Sequence, residues 1–395
     1  MFRQGGFRLV ARARGLGDLR ADEGQIGRLR EFAQRQDGPA DELVEWLAKA
    51  PGNRQVFERA LSGGGTEGLA AEDTEPGRFL ATVEATPYWV DRARLEKGAR
   101  AITRAGLLGL FPLGDMSLMG GYLASRATKV LVGTGEIEYR ATRRLVETAA
   151  WWMNVTTPGA MQRDGEGFRA TVRIRVVHAY VRRAMNKRED WDYEQWDRPI
   201  NQVQTAGTLL LFSLVYVFGT QLLGVRYTEQ ERADILHLWR YIGWLMGVDE
   251  ELLPADEDDA WRLLWLLAAT EFIPDEDSKR LAKALLESHT AIGEGRGVPG
   301  KVLAYVNVRV HSAISRLVLG KDNADFLELP DDPLAQAAVV AAAGVNFAAE
   351  TARRLIPGAT AVQELLGSLG RRRYLKRMHE VFKPDTSYGQ HMRAA

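Results

Sequence analysis

The sequence predicts an all-α protein, and three observations carry this prediction. Apolar residues recur at helical spacing along most of the 395-residue chain, and strand-like alternation is confined to two short pieces. In addition, residues 206–225 contain no charged side chain. Such a segment is typical either of a helix at the centre of a large domain or of a membrane span. The polar residues Thr208, Ser213 and Gln221 favour the buried helix, so we expect no integral membrane span.

The composition bounds the class of protein. Hydrophobic residues make up 46% of the chain and charged residues 26%, as in globular domains. Lysine plus arginine equals aspartate plus glutamate at 52 each, so no net charge draws the chain to nucleic acid. The absence of cysteine excludes disulfides, Fe–S clusters and cysteine-ligated zinc or haem. It fits a cytoplasmic protein, and the basic N-terminus, which lacks an apolar core, predicts a frayed end and not a secretory signal.

The N-terminal third divides into helices and a connection. Residues 20–62 have helical periodicity, and Asp41, which follows Pro39, is placed to cap a helix. The glycine-rich residues 62–68 predict a flexible connection to the main body. We therefore expect three parts, namely an N-terminal helical appendage and linker (1–75), a main domain (76–330) and C-terminal helices packed on it (331–395).

The main body is predicted to be helical except near residue 134. Residues 129–132 and 137–139 resemble short strands around Gly133 and Gly135, and they predict a hairpin or an extended loop. The remaining predicted helices have amphipathic or apolar patterns and cover residues 229–246, 258–271, 276–290 and 302–319, followed by two C-terminal helices after Pro333.

The segment 171–183 is the first candidate for a functional site. In a helix, Arg175, His178 and Arg182 share one face. Guanidinium groups in a hydrophobic region need anionic partners, and a haem would supply two propionates near an iron-ligating histidine. The alternative is a basic stripe that faces solvent with an incidental histidine, and spacing alone favours this alternative.

A second predicted helix adds three candidate residues. Arg144 and Thr148 are one turn apart, and Glu147 lies between them. A desolvated Glu147 carboxylate could accept a proton, although an ordinary i, i+4 ion pair with Arg143 explains it equally well. Thr148 could hydrogen-bond a bound ligand or only its own helix.

Taken together, these pieces resemble the family of rubber oxygenases (latex clearing proteins) and MpaB-type oxygenases. The resemblance covers roughly residues 89–254. The matching pieces, in chain order, are Asp91-Arg92, Glu96-Lys97-Gly98, Thr134-Gly135, Arg144 with Thr148, Arg175 with His178-Ala179 and Arg182, and Pro199-Ile200-Asn201-Gln202.

The resemblance implies a globin-like helical core around a haem b, with His178 as the proximal iron ligand. It implies that Arg144, Thr148, Arg175 and Arg182 hold the cofactor or shape its pocket, and that the protein uses O2 on an apolar substrate, such as an isoprenoid or a lipid-like metabolite.

This chain departs from the family pattern on the distal side. The family has a lysine immediately before the threonine, where this chain has Glu147, and an upstream glutamate would fall near Thr128. This departure leaves open a haem-binding sensor or peroxidase-like protein without oxygenase activity, and a haem-free helical protein also remains open.

The other five histidines are weaker candidates. His311 lies in an apolar, basic helix and is the best rival for iron ligation. His237 is expected to be a packed or partly exposed residue. His289, His379 and His391 are expected to be peripheral.

Overall fold

The computed structural model describes Gly15 and residues 21–63, 74–133, 137–293 and 297–382. Within these ranges every regular element is helical, so the predicted all-α fold is confirmed. The basic N-terminus and most of the glycine-rich connection lie outside the described residues.

Sixteen labelled helices, with a few short turns between them, follow one another along the chain. The first eight are α1 (Glu23–Ala33), α2 (Gly38–Lys49), α3 (Pro51–Leu61), α4 (Glu75–Glu84), α5 (Arg92–Arg104), α6 (Ser125–Gly133), α7 (Ile137–Val155) and α8 (Glu166–Met185). The other eight are α9 (Gln202–Leu222), α10 (Glu229–Leu245), α11 (Glu257–Thr270), α12 (Glu276–Ser288), α13 (Gly297–Leu319), α14 (Lys321–Phe326), α15 (Pro333–Leu355) and α16 (Ala359–Phe382).

Two π-helical segments interrupt the regular helices. One covers Pro112–Leu118, between α5 and α6, and the other covers Leu211–Val215, in the middle of α9. A π-helical turn accommodates an extra residue and is frequent at functional sites. Both segments contribute side chains to the cavity described below.

Polar residues fix where several helices begin. The side chains of Asp22 and Thr228 each accept a hydrogen bond from the backbone N–H of the third residue of the following helix. The side chain of that third residue accepts a hydrogen bond from the backbone N–H of Asp22 or Thr228. Asp275 does the same for α12. These capping boxes satisfy backbone N–H groups that have no partner within the helix.

The predicted cap at Asp41 is wrong. Helix α2 begins at Gly38 with Pro39 in its first turn, so Asp37 is the flanking residue, and Asp37 makes no side-chain cap. Asp41 lies inside the helix. Both carboxylates instead form ion pairs with arginines of α8.

The prediction of a hairpin or an extended loop is also wrong for residues 129–132 and 137–139. Residues 129–132 belong to α6, and α7 begins at Ile137; residues 134–136 lie outside the described residues. Strand propensity is a weak preference that packing overrides. Here Val130 is buried, and the Lys129 ammonium lies 2.6 Å from carboxylate oxygens of Asp275 and Asp277 beside α12, which holds α6 as a helix.

An aromatic cluster lies at the centre of the core. Trp239 of α10 is 1% exposed and packs against Trp151 and Trp152 of α7, and Trp152 packs against Tyr216 of α9. The N-terminal helices join the same core, because Leu43 and other apolar residues of α1 to α4 belong to it. The uncharged segment of the sequence therefore forms a helix packed in the core.

Three helices are long and apolar enough to cross a membrane by length and composition. They are Gln202–Leu222, Gly297–Leu319 and Pro333–Leu355. Within the apolar 18-residue stretch of each helix, 61%, 33% and 6% respectively is buried. A bent pair, Gly106–Gly121 with Ser125–Gly133, would make a fourth. The C-terminal α15 thus presents an apolar surface that the described residues leave largely uncovered.

Close packing of α5 on α10 depends on Gly98. A Cβ atom at this position would overlap the carbonyl group of Asp234, whose carbon would be only 2.8 Å away. We expect Gly98→Ala to lower the free energy of unfolding by about 1–3 kcal/mol, because one helix backbone must move away from the other. Chemical denaturation measures this change.

Gly27→Ala is the matched control for this prediction. Gly27 is exposed within α1, and nothing lies within 4 Å of its added Cβ. Alanine is the better helix former, so this variant should be as stable as the parent protein or gain about 0.5–1 kcal/mol. Equal effects of the two substitutions would contradict the role given to Gly98.

Candidate functional site

A cavity of about 560 Å³ lies between α6, α7, α8, α9, α10 and α11. Its walls are mainly apolar. Among the lining residues are Leu118, Val130, Leu131, Trp151, Ile174, Val177, Val181, Val203, Leu209, Phe212, Ile242 and Leu264. The volume falls in the range of about 300–1,000 Å³ that is usual for small-molecule sites.

His178 lies in the wall of this cavity, on α8. Desolvation lowers the pKa of its imidazole to about 4, and the positive charges of Arg182 and Arg144 add to this effect against the opposing charge of Asp37. The ring is therefore neutral at neutral pH, the form in which histidine binds metals. No residue of the described chain hydrogen-bonds it.

Helix α7 brings Arg144, Glu147 and Thr148 to the same cavity. Glu147 is 8% exposed, and its carboxylate accepts a 2.9 Å hydrogen bond from the Arg143 Nε, so the i, i+4 ion pair that the sequence left open is formed. The positive charge of Arg144 acts on Tyr122, another lining residue whose pKa is raised by burial. Helices α7 and α8 thus bring one imidazole, one guanidinium and one paired carboxylate to the cavity wall.

Arg175 and Arg182 point elsewhere and do not line the cavity. The Arg175 guanidinium donates two hydrogen bonds, of 2.7 and 2.8 Å, to the Asp37 carboxylate. Arg182 donates a 2.7 Å bond from Nε to Asp41. Protein carboxylates thus neutralise the charge that the sequence argument assigned to haem propionates, and the two arginines hold α2 against α8.

The turn after α10 lies directly against this ion pair. Gly247 has φ +80°, and a Cβ there would lie 2.6 Å from an Asp37 oxygen and 2.7 Å from the Arg175 Nε. Gln202 fixes this turn, because its amide donates to the Gly247 carbonyl and accepts from the Asp249 N–H. Asn201 caps α9 by accepting from the Gln204 N–H at 2.9 Å.

Sequence reasoning missed Glu271, a second carboxylate in the cavity wall. Burial raises the pKa of Glu271, against the opposing charges of Arg126 and Arg30. The signal was present, because Glu271 directly follows the apolar helix α11. A carboxylate at the negative end of a helix is unfavourable unless cations or a function compensate for it.

Three polar groups of lining residues have no hydrogen-bond partner among the described residues. They are the Gln204 Nε2, the Trp151 Nε1 and the Trp239 Nε1, and all three are buried. An unpaired buried donor costs about 1–3 kcal/mol, so such groups often mark the place of a ligand. These three N–H donors therefore have no acceptor among the described residues and are available to a ligand in the cavity.

The three other histidines whose side chains the structure describes lie outside the cavity. His237 is 7% exposed, and its Nε2 accepts a hydrogen bond from the Asp91 N–H, in agreement with the expected packed residue. His311, the rival iron ligand, bonds Asp115 instead. His289 was expected to be peripheral, but it is stacked on His311 with only 10% of its side chain exposed. His391 and the side chain of His379 lie outside the described residues.

Protonation of His237 should lower the stability of the folded protein at acidic pH. Desolvation lowers the pKa of His237 from 6.5 to about 4. The positive charge of Arg94 also lowers this pKa, and the negative charge of Asp91 raises it. Between pH 6.5 and pH 4 this histidine is therefore protonated in the unfolded chain but neutral in the folded protein. The stability that the neutral ring contributes is complete above pH 6.5 and is lost as the pH falls toward 4. The group should contribute about 2–3 kcal/mol to that loss, measured by urea denaturation between pH 7 and pH 4.

His237→Gln separates this group from the rest of the protein. The amide oxygen can still accept from the Asp91 N–H but cannot titrate. The free energy of unfolding should fall less steeply with acidification in this variant. An unchanged slope would show that His237 does not carry the effect.

The fold and the cavity define a class: an all-α protein with a mainly apolar site that presents a neutral histidine without a described hydrogen-bond partner. The family model described as "ER-bound oxygenase mpaB/B'/Rubber oxygenase, catalytic domain" matches residues 103–355, which is more than half of the chain. The chain belongs to this family.

Two similar proteins agree with this assignment. Rubber oxygenase from Streptomyces sp. (strain K30) is 23% identical over 273 residues, which cover 67% of this chain and 63% of that protein. The structure of latex clearing protein LCP in the closed state covers 87% of this chain and 91% of that chain, with a TM-score of 0.63 and 20% identity. At this identity the likeness shows the helical fold.

Proposed function

We propose that this protein is a haem b-dependent oxygenase that acts on an apolar small molecule, with His178 as the iron ligand. The observation that carries the proposal is the position of His178, a neutral imidazole without a described hydrogen-bond partner in the wall of a cavity. The family description, which names oxygenases, supports the class of reaction.

The residues around the cavity fit a haem. His178 offers a nitrogen lone pair, and apolar side chains such as Ile174, Val177 and Val181 surround it on the same helix. Arg144 is the lining guanidinium, and it is therefore the residue suited to a propionate, in place of Arg175 and Arg182. The unpaired donors of Gln204 and Trp151 are further groups that a bound ligand can satisfy.

A bound haem would supply the capacity to bind and activate O2. The chain contributes the surroundings of that chemistry. The apolar wall gives a bound ligand surroundings of low polarity, and Thr148 offers a hydroxyl to a ligand in the cavity. Glu271, whose pKa burial raises, is suited to hold a proton, whereas Glu147 accepts a hydrogen bond from Arg143.

The cavity also favours a small substrate. An isoprenoid or a lipid-like metabolite fits walls built from valine, leucine, isoleucine and aromatic side chains. The curated relative is described as a rubber oxygenase, but this chain has Glu147 where family members of that type have a lysine. We therefore propose a small apolar molecule and not the polymer.

Absorption spectra of the purified protein test the proposal directly. Protein produced with sufficient haem should have a Soret band, and a pyridine haemochrome assay should report a b-type haem. Protein that neither retains nor takes up haem would overturn the proposal in favour of the haem-free helical protein.

Oxygen consumption separates an oxygenase from a haem-binding sensor or peroxidase-like protein. The reduced holoprotein should consume O2 in the presence of isoprenoid or lipid substrates, and mass spectrometry should find oxygen from ¹⁸O2 in the product. A protein that binds haem but consumes no O2 with any apolar substrate would support the sensor or peroxidase-like role.

For localisation, we propose that the protein works in the cytoplasm at the surface of a membrane. Residues 333–349 of α15 carry no charge, and Val345 is 70% exposed. Leu366 on the neighbouring α16 is 62% exposed, and exposed cations follow at Arg372 and Arg373. An apolar surface flanked by cations suits an anionic bilayer, where an apolar substrate would also be dissolved.

Flotation with phosphatidylcholine–phosphatidylserine vesicles tests this location. The protein should float with the vesicles, and the double variant Val345→Glu/Leu366→Glu should stay in the bottom fraction. Ile273→Glu is the control, because Ile273 is 51% exposed but lies between α11 and α12. A parent protein that stays in the bottom fraction would contradict the proposal.

A further inference from the structure

A second group of ligand-forming side chains lies outside the cavity. Asp115 belongs to the π-helical segment Pro112–Leu118, His289 follows α12, and His311 lies on α13. The Asp115 side chain is fully buried, and the two histidine side chains are 10% and 13% exposed. Three elements that are distant in sequence thus bring a carboxylate and two imidazoles together away from solvent.

The geometry of the three side chains is compact. The His311 Nδ1 lies 2.8 and 2.9 Å from the two Asp115 oxygens, and the His289 Nε2 lies 3.8 Å from one of them. The two imidazole rings are parallel, with centroids 3.5 Å apart. All three ligand atoms lie within 4.8 Å of one another. In a tetrahedral zinc site, bonds of about 2.0–2.2 Å place ligand atoms roughly 3.3–3.5 Å apart.

Hydrogen bonding within the group leaves the Asp115 carboxylate without an arginine or lysine partner and the His289 Nε2 without a hydrogen bond, among the described residues. Among the described residues, Asp115 has no arginine or lysine as an ion-pair partner, although a buried carboxylate requires a positive charge. The His289 Nε2 is buried and has no hydrogen-bond partner in the same part of the chain. One cation between the three ligand atoms would satisfy both needs.

Neighbouring side chains restrain the elements that carry the two histidines, whose stacked rings would have to tilt toward a shared ion. The Asn307 side chain donates a 2.9 Å hydrogen bond to the His289 carbonyl, which ties the turn after α12 to α13. The ring of Phe111 packs against His311 with centroids 5.0 Å apart. Such supporting contacts orient the ligands of known metal sites.

We propose that Asp115, His289 and His311 form a binding site for a divalent transition-metal ion of the zinc or ferrous type. Two imidazoles and one carboxylate are a ligand set that such ions prefer, and the remaining positions would be open to water. None of the three residues lines the cavity of His178, so the site is separate from the proposed haem site and does not rest on the proposed function. Ser117 and Leu118 of the same π-helical segment do line that cavity, so the ion would brace one of its walls.

Metal titration of chelator-treated protein without an affinity tag tests the site. We expect one equivalent of Zn²⁺ to bind in calorimetry and to raise the thermal unfolding midpoint. Co²⁺ should give the visible absorption of a low-symmetry site with nitrogen ligands. The Co²⁺ spectrum is recorded on haem-free protein, because haem absorbs at the same wavelengths. Calorimetric binding of Zn²⁺ does not involve haem iron, so this result is independent of the test of the proposed function.

Substitutions assign the bound ion to these residues. Asp115→Asn, His289→Gln and His311→Gln should each weaken Zn²⁺ binding by at least about tenfold. His237→Gln, which removes a buried histidine elsewhere, should bind Zn²⁺ like the parent protein. Circular dichroism checks that each variant is folded.

Two results would overturn the proposal. Parent protein that binds no stoichiometric Zn²⁺ or Co²⁺ would show that Asp115 and His311 form only a hydrogen bond. Folded His289→Gln and His311→Gln variants that bind Zn²⁺ as tightly as the parent protein would place the ion elsewhere.

Discussion

His178→Ala is expected to abolish stable haem binding. If His178 is the iron ligand, the variant loses the only imidazole among the described residues that line the cavity. We expect haem affinity to fall by more than about 100-fold, because ligand orientation alone is worth about 10–100-fold in metal sites. The Soret band of the purified variant, and titration of the apoprotein with haemin, measure this loss.

A matched control and a rescue distinguish ligation from a structural role. His237→Gln also removes a buried neutral imidazole, but outside the cavity, and it should keep the Soret band. Added imidazole should restore haem binding to His178→Ala, since the substitution leaves space in the cavity wall. A variant whose spectrum equals that of the parent protein would overturn the assignment of His178.

Arg175→Ala is expected to cause the largest loss of stability. Arg175 is 6% exposed, and its guanidinium donates two hydrogen bonds to Asp37, whose carboxylate would remain buried without its main partner. Breaking one side of a buried ion pair costs about 3–5 kcal/mol. Urea denaturation should report this decrease, and α2 should exchange its amide hydrogens faster because it loses its anchor on α8.

Arg183→Ala provides the control on the same helix. Arg183 forms an ion pair with Glu45 of α2, but the two side chains are 31% and 59% exposed. An exposed pair contributes about 0–1 kcal/mol, so this variant should remain close to the parent protein. The double variant Arg175→Met/Asp37→Leu should lose less than Arg175→Ala, because it leaves no unpaired buried charge. Similar losses in Arg175→Ala and Arg183→Ala would contradict the role of the buried pair.

The helices could be predicted because helical periodicity is a local signal. The bounds of α10, α11 and α12 lie close to the predicted ones, since acidic residues and caps mark their first turns. The hairpin near residue 134 failed for a physical reason. Short runs such as 129–132 carry valines that a strand and a buried helix accept equally, and contacts with α12 decide between them.

The site was predictable only in part, because its partners are distant in sequence. Spacing placed Arg175 and Arg182 on the face of His178, but it could not reveal Asp37, which lies 138 residues from Arg175. Likewise Asp115 and His311 are 196 residues apart, and no local pattern links them. The positions of His178, Arg144 and Thr148 in the cavity wall agree with the spacing argument, whereas iron ligation by His178 stays a prediction.

The π-helical segment Leu211–Val215 restricts the changes of length that α9 can tolerate. One turn of a regular α-helix holds 3.6 residues, so each residue added or deleted rotates the following part by about 100°. The segment already holds an extra residue, so deletion of one residue would restore a regular α-helix. A further insertion would leave Phe212 near the cavity wall but would turn Tyr216, now 0% exposed against Trp152, away from the core. Insertions should therefore be far less tolerated in the middle of α9 than in the loops that flank it.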